Sequence, residues 1–94
     1  MVLIAYNEAL EGELMELLDS NAVDGYTQWT QVRGKGVASE PHFLSHVWPK
    51  ANGVVMCCVD DEKATKLMNA VRALRQRLAQ EGVKAFSLPV SDVT

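Results

Sequence analysis

The residues best suited to binding a ligand form the short run Arg33-Gly34-Lys35-Gly36. Two cations alternate with two glycines, so a loop here could present backbone N–H groups and positive charge to a phosphate or a carboxylate. A bare Gly-x-Gly lacks the full spacing of a phosphate-binding loop. An exposed loop with solvated cations accounts for the same residues, and the sequence leaves both interpretations open.

Two histidines follow in the next segment, His42 and His46, with Glu40 close by. On a helix, residues four apart share a face, and two imidazoles placed in this way could hold a transition metal. Pro49 and the missing capping residues disfavour a helix in this segment. The structural alternatives are ordinary loop histidines and His46 packed beside Trp48. A metal site at His42 and His46 is therefore a second hypothesis.

No catalytic constellation is evident in the sequence. The acidic residues gather where helices are predicted to begin, and capping accounts for them there. No nucleophile has a matched base and an orienting partner nearby in the pattern. We therefore predict a protein that is not an enzyme, and a small enzyme with a site between subunits remains the alternative.

The composition restricts the kinds of partner and the cellular compartment that we expect for this protein. With 94 residues the chain makes one domain, and its formal net charge of −3 argues against nucleic acid as the main partner. The opening apolar run Val2–Tyr6 is too short to span a membrane, so we expect no direct membrane insertion. Cys57 and Cys58 are adjacent on a predicted strand and point to opposite faces, so no disulfide is expected between them. These features predict a cytoplasmic protein.

The elements that position these residues follow from hydrophobic spacing and capping signals. Asn7 and Asp60 are suited to begin helices, and Asp24-Gly25 and Asn52-Gly53 are typical of turns. Gly82 is predicted to cap the end of the second helix. The predicted order is a strand at Val2–Tyr6, a helix at Glu8–Asp19, a strand at Tyr26–Arg33, a strand at Val54–Val59, a helix beginning at Asp60–Glu62 and a strand at Lys84–Leu88.

This βαββαβ order predicts an α+β, ferredoxin-like fold, in which a four-stranded antiparallel sheet carries two helices on one face. The first and third strands are nearly continuous apolar runs, which indicates burial on both faces of the sheet. The helices cover only one face. A second copy of the chain is the simplest cover for the other, so we predict an oligomer.

Two stretches of the chain resemble the PII-like signalling superfamily. Gly25-Tyr26-Thr27 through Val32-Arg33-Gly34-Lys35-Gly36 is similar to the strand that enters the long loop of that family. Lys84-Ala85-Phe86-Ser87-Leu88-Pro89-Val90 is similar to its strand after the second helix. The resemblance covers most of the chain at the level of element order. It implies a single PII-like domain over residues 1–94 and a ferredoxin-like homotrimer. In that superfamily the loop after the second strand reads an effector and contacts a protein partner.

For this sequence the resemblance implies a small anion or nucleotide bound by Arg33, Gly34, Lys35 and Gly36, with Lys84 at a subunit boundary. The segment between Gly36 and Asn52 is shorter than in the classical nitrogen regulators, which places the chain in a short-loop branch. A transporter is one candidate for the protein partner. The divalent-cation tolerance family has a similar fold and trimer, and a resemblance to it would imply the metal alternative at His42 and His46. The sequence identifies no cofactor.

Overall fold

The computed structural model describes residues 1–34, 52–79 and 82–94. The elements in chain order are β1 (Val2–Asn7), a 3-10 turn (Glu8–Leu10), α1 (Glu11–Ser20), β2 (Thr27–Val32), β3 (Asn52–Cys57), α2 (Asp61–Arg77) and β4 (Val83–Ser87). The predicted βαββαβ order and the ferredoxin-like fold are confirmed. Among the described residues, no helix combines the length and the apolar composition that a membrane crossing requires.

The four strands form one antiparallel sheet in the order β2-β3-β1-β4, so β2 and β4 are its two edges. Asn52 at the beginning of β3 pairs with both Asn7 and Val32, which end β1 and β2. Val83 at the beginning of β4 pairs with Tyr6. We call this end of the sheet the loop end, because β2 leaves the sheet there and β3 enters it.

Alternation along β1 and β3 divides the sheet into two faces. Every second residue is buried under the helices, as the period of a strand requires. The core contains Val2, Ile4, Tyr6, Val55, Cys57 and Val83 from the sheet and Leu14, Leu18, Leu67, Val71 and Leu74 from the helices. The apolar residues at helical spacing on α1 and α2 therefore face the sheet.

The predicted helix starts are confirmed by their capping bonds. The Asn7 side chain accepts a hydrogen bond from the Ala9 N–H at 2.9 Å, and the Asp60 carboxylate accepts one from the Lys63 N–H at 2.8 Å. Each bond satisfies a backbone donor that has no partner within the first helical turn. The first helix differs in detail, because it opens with the 3-10 turn and becomes α-helical at Glu11.

The predicted turn at Asn52-Gly53 is wrong, since both residues are the first members of β3. Gly53 pairs with Tyr6, and an added Cβ atom on Gly53 would overlap the Tyr6 ring carbon Cζ and the hydroxyl oxygen. The glycine is needed for this close approach and not for a turn. The strand also ends at Cys57 and not at Val59.

Gly82 does not cap α2, contrary to the prediction. The helix ends at Arg77, with Leu78 as its C-cap. Gly82 has φ 86° and lies immediately before β4, where its carbonyl accepts the Asn7 N–H at 2.7 Å. A left-handed backbone conformation is still the reason for the glycine, but it serves to align β4 with β1.

The face of the sheet away from the helices is apolar. We call it the open face; its described residues include Leu3, Ala5, Trp29, Val54, Met56, Lys84 and Phe86. Trp29 is 46% exposed and Phe86 is 49% exposed, which is high for such large apolar side chains. The apolar character of both faces matches the prediction from β1 and β3. The oligomer inferred from it stays a prediction.

Candidate functional site

The first half of the predicted effector site lies where β2 leaves the sheet. Arg33 and Gly34 follow the last residue of β2 at the loop end, and both are exposed. Gly34 has no left-handed backbone angle, but an added Cβ atom would lie only 2.9 Å from the Asn52 side-chain nitrogen. A side chain at position 34 would therefore require the Asn52 amide to shift.

Lys84 supplies the second half, from the opposite edge of the sheet. It is the second residue of β4 and pairs with Ala5 on the open face. Its ammonium lies 5.8 Å from the centroid of the Phe86 ring, within range of a cation–π contact. The lysine is exposed, so its charge is accessible to a ligand.

Arg33 and Lys84 lie at the same end of the sheet but not close together. Three strand spacings separate β2 from β4, or roughly 14 Å between the edges. This backbone separation is far larger than a small anion. If β2 of one copy lay near β4 of another, the two cations would come closer together than they are within one chain.

The other predicted site residues lie outside the described residues. Lys35 and Gly36, which complete the cationic run, belong to this group, as do the proposed metal ligands His42 and His46. Both predictions therefore stay predictions. Within residues 1–34, 52–79 and 82–94, no group of three or more His, Cys, Asp or Glu side chains is placed to hold a metal ion.

The two cysteines are free and differ in environment, as the strand alternation predicts. Cys57 is buried in the core, and Cys58 is exposed just beyond the end of β3. Burial raises the pKa of the Cys57 thiol, which disfavours the thiolate. Cys57 therefore packs as a small apolar side chain.

A polar cluster that the sequence analysis missed joins β1, α1 and β2 at the loop end. The Tyr6 hydroxyl donates to a Glu11 carboxylate oxygen at 3.0 Å and accepts from the Gln28 side-chain amide at 2.7 Å. The Gln28 amide also lies 3.1 Å from that same Glu11 oxygen. The Tyr6 ring is buried, so these bonds satisfy a hydroxyl at the margin of the core.

A second carboxylate extends this cluster towards the end of β2. The Gln31 backbone N–H donates to Glu8 Oε2 at 2.8 Å. Glu8 and Glu11 were interpreted from the sequence only as acids at a helix start. The weak signal for their second role is the pair of glutamines, Gln28 and Gln31, which interrupts the apolar pattern of β2.

The Tyr6 phenol should make stability sensitive to alkaline pH. Burial raises its pKa above the ordinary value near 10; the Gln28 hydrogen bond opposes this effect and Glu11 reinforces it. In the unfolded chain the phenol ionises first, so its contribution is complete below about pH 10 and is lost as the pH rises through the folded-state pKa.

Denaturant unfolding between about pH 9 and pH 11 should therefore show a smaller loss of stability for Tyr6→Phe than for the wild type. Tyr26→Phe, at an exposed tyrosine, is the matched control and should follow the wild type. Parallel curves for the wild type and Tyr6→Phe would contradict this assignment.

Solved structures with the same fold are PII-like proteins. CPII from Thiomonas intermedia K12, bound to ADP, AMP and bicarbonate, is 21% identical, with 99% of this chain and 92% of that chain covered and a TM-score of 0.68. A second CPII structure, bound to ADP, AMP and acetate, is also 21% identical and covers 90% of this chain and 78% of that chain at a TM-score of 0.68. A PII-like signalling protein from Thermus thermophilus is 24% identical over 90% of this chain and 79% of that chain, with a TM-score of 0.61. The fold is therefore that of PII-like proteins.

The family model described as nitrogen regulatory protein P-II matches residues 1–94. The chain belongs to this family, and the resemblance identified from its two stretches is confirmed. No curated protein matches the chain significantly.

Proposed function

We propose that this protein is a homotrimeric regulatory protein that binds a small anionic effector between neighbouring subunits and contacts a protein partner. Arg33, Gly34, Lys35 and Gly36 of one subunit and Lys84 of the next form the effector site. The observation that carries the proposal is the position of Arg33 and Lys84 at the same end of the sheet but on opposite edges.

A ring of subunits brings these two edges together. Among the described residues, β2 and β4 each pair with a neighbouring strand on one side only, and the open face between them is largely apolar. A contact from the β4 edge of one copy to the β2 edge of the next is heterologous, and such contacts close into a ring when the rotation allows it. Three copies would bury Trp29 and Phe86 and would repeat the Arg33–Lys84 boundary three times.

The effector is proposed to be a nucleotide or a small carboxylate-like anion. Arginine and lysine favour phosphate and carboxylate oxygens through charge-assisted hydrogen bonds. Related structures were solved with ADP, AMP, bicarbonate and acetate, which have this chemistry. A ligand that prefers one state of the protein over another would alter the contact with the partner, and equal affinity for both states would alter nothing.

Single substitutions at the two cations test the site. Arg33→Ala and Lys84→Ala should each lower the affinity for ADP or bicarbonate by about tenfold or more, because each removes a hydrogen bond to a charged group. Isothermal titration calorimetry at low ionic strength measures this effect. The matched controls are Arg72→Ala and Lys66→Ala, which remove exposed cations on α2 that belong to neither edge of the sheet.

The controls should bind as the wild type does. Unchanged affinity in both Arg33→Ala and Lys84→Ala would contradict the proposed site. If titration of the wild-type protein with ADP, AMP or bicarbonate releases no more heat than titration of buffer, the proposed effector class is contradicted.

A further inference from the structure

β2 contains a bulge close to the point where it leaves the sheet. Trp29 pairs with Val54 and Val32 pairs with Asn52, so three steps along β2 match two steps along β3. The extra residue is accommodated at Gln31, which has φ 56°. A β-bulge of this kind bends the strand and redirects the side chains that follow it.

The bulge decides which face of the sheet the following residues occupy. Trp29 and Val32 both lie on the open face, although residues three apart on a regular strand point to opposite faces. A shift of one residue in pairing would therefore turn Val32, and Arg33 after it, to the other face. The bulge therefore sets the face of Val32, the last residue of β2, from which the chain continues to Arg33.

Glu8 supplies the contact that stabilises the bulge. The bulge removes Gln31 from the regular ladder, and the Gln31 N–H donates to the Glu8 carboxylate at 2.8 Å. A left-handed backbone is unfavourable for glutamine, so this bond helps to offset a local cost. On the N-terminal side of the bulge, the Gln28 side-chain amide lies 3.1 Å from a Glu11 carboxylate oxygen and so ties β2 to α1.

We propose that Glu8 is a positioning residue that holds the β2 bulge at Gln31 and so determines the face of the sheet towards which Arg33 points. The effect of Glu8 on effector affinity rests on the proposed function, but its effect on the pairing of β2 with β3 does not. Loss of the carboxylate leaves the Gln31 N–H without its acceptor and favours the regular register, in which Gln31 and not Val32 lies opposite Asn52.

The first test reads the register directly and needs no effector. In Glu8→Ala, nuclear Overhauser contacts across the strands should change from the Val32–Asn52 pair to the Gln31–Asn52 pair. Amide exchange at Gln31 should become about tenfold faster or more. Glu8→Gln keeps an oxygen acceptor and should retain the bulge, and Glu13→Ala, at an exposed acid on α1, should leave it unchanged.

A second-site variant provides a rescue. Glycine adopts a left-handed backbone readily, so Gln31→Gly combined with Glu8→Ala should restore the Val32–Asn52 pairing without the carboxylate. A Glu8→Ala protein that keeps the wild-type pairing and the wild-type Gln31 exchange rate would overturn the proposal.

The second test uses ADP and bicarbonate as probes. Glu8→Ala should lose about tenfold or more in affinity, as Arg33→Ala does, and the Gln31→Gly rescue should recover it. Wild-type affinity in a Glu8→Ala protein with altered pairing would overturn the link from Glu8 to Arg33. If the wild type binds neither probe, the proposed function fails, and the register measurement still decides the role of Glu8.

Discussion

Replacement of Val54 by glutamate is expected to dissociate the proposed trimer into monomers. Val54 lies in the middle of the open face, paired with Trp29 on one side and Ala5 on the other. In a separate subunit a carboxylate at this position remains partly exposed to water. Buried between subunits it would lose its hydration, and Lys84, beyond Ala5 in the same row of the open face, would offset only part of a cost of several kcal/mol. The remaining cost is enough to weaken a contact of moderate size.

Size-exclusion chromatography with light scattering at micromolar concentration measures this result. Gln76→Glu is the matched control, since it adds the same charge at an exposed position on α2 and should leave the mass unchanged. A monomeric wild type, or a Val54→Glu protein with the wild-type mass, would contradict the proposal that the open face is covered by sister subunits.

Replacement of Gly53 by alanine is expected to lower the free energy of unfolding by about 2–3 kcal/mol. The added methyl group would overlap the Tyr6 Cζ atom and hydroxyl oxygen and would lie 2.8 Å from the ring carbon Cε1. The Tyr6 ring is 2% exposed and cannot move aside freely. Its displacement would also break the hydrogen bonds to Glu11 and Gln28.

Urea unfolding at a fixed protein concentration measures the loss. Gly12→Ala is the matched control: nothing lies within 4 Å of the added Cβ atom and the residue is in α1, so this change should stabilise the protein by about 0.5–1 kcal/mol. Shortening the clashing side chain in Tyr6→Leu should make Gly53→Ala less harmful than it is in the wild type. A Gly53→Ala protein as stable as the wild type would show that the ring accommodates the methyl group.

Local rules predicted the parts of the fold that depend on nearby residues. Asn7 and Asp60 cap helices because their side chains reach backbone N–H groups two or three residues further along. The apolar runs of β1 and β3 identified the central strands of the sheet. With two βαβ units established, the strand order follows from the few connections that such units allow.

Features set by contacts distant in sequence could not be predicted in the same way. Asn52-Gly53 has the composition of a turn, but the pairing of Gly53 with Tyr6 places it in a strand. The bulge at Gln31 has one signal in the sequence, namely that Trp29 and Val32 are apolar residues three apart. The contacts of Glu8 and Glu11 with β2 have only the weak signal of Gln28 and Gln31 in a strand, because a carboxylate at a helix start is already explained by capping.

The candidate site was predicted as a set of residues, but its arrangement depends on the sheet order. The sequence associated Arg33 with Lys84 through a resemblance, and the fold places them on opposite edges. A ligand shared by two subunits is therefore the arrangement that we propose. The same sheet order that separates the two cations within one chain supports their meeting between two chains.

Mixing the two binding-defective variants tests the shared site most directly. Arg33→Ala and Lys84→Ala subunits, unfolded together in equal amounts and refolded, should recover ADP or bicarbonate binding at about a quarter of the wild-type number of sites, because that share of boundaries joins an intact Arg33 to an intact Lys84. The recovered sites should have wild-type affinity. A mixture that binds no better than either variant alone would contradict a site formed by Arg33 of one subunit and Lys84 of the next.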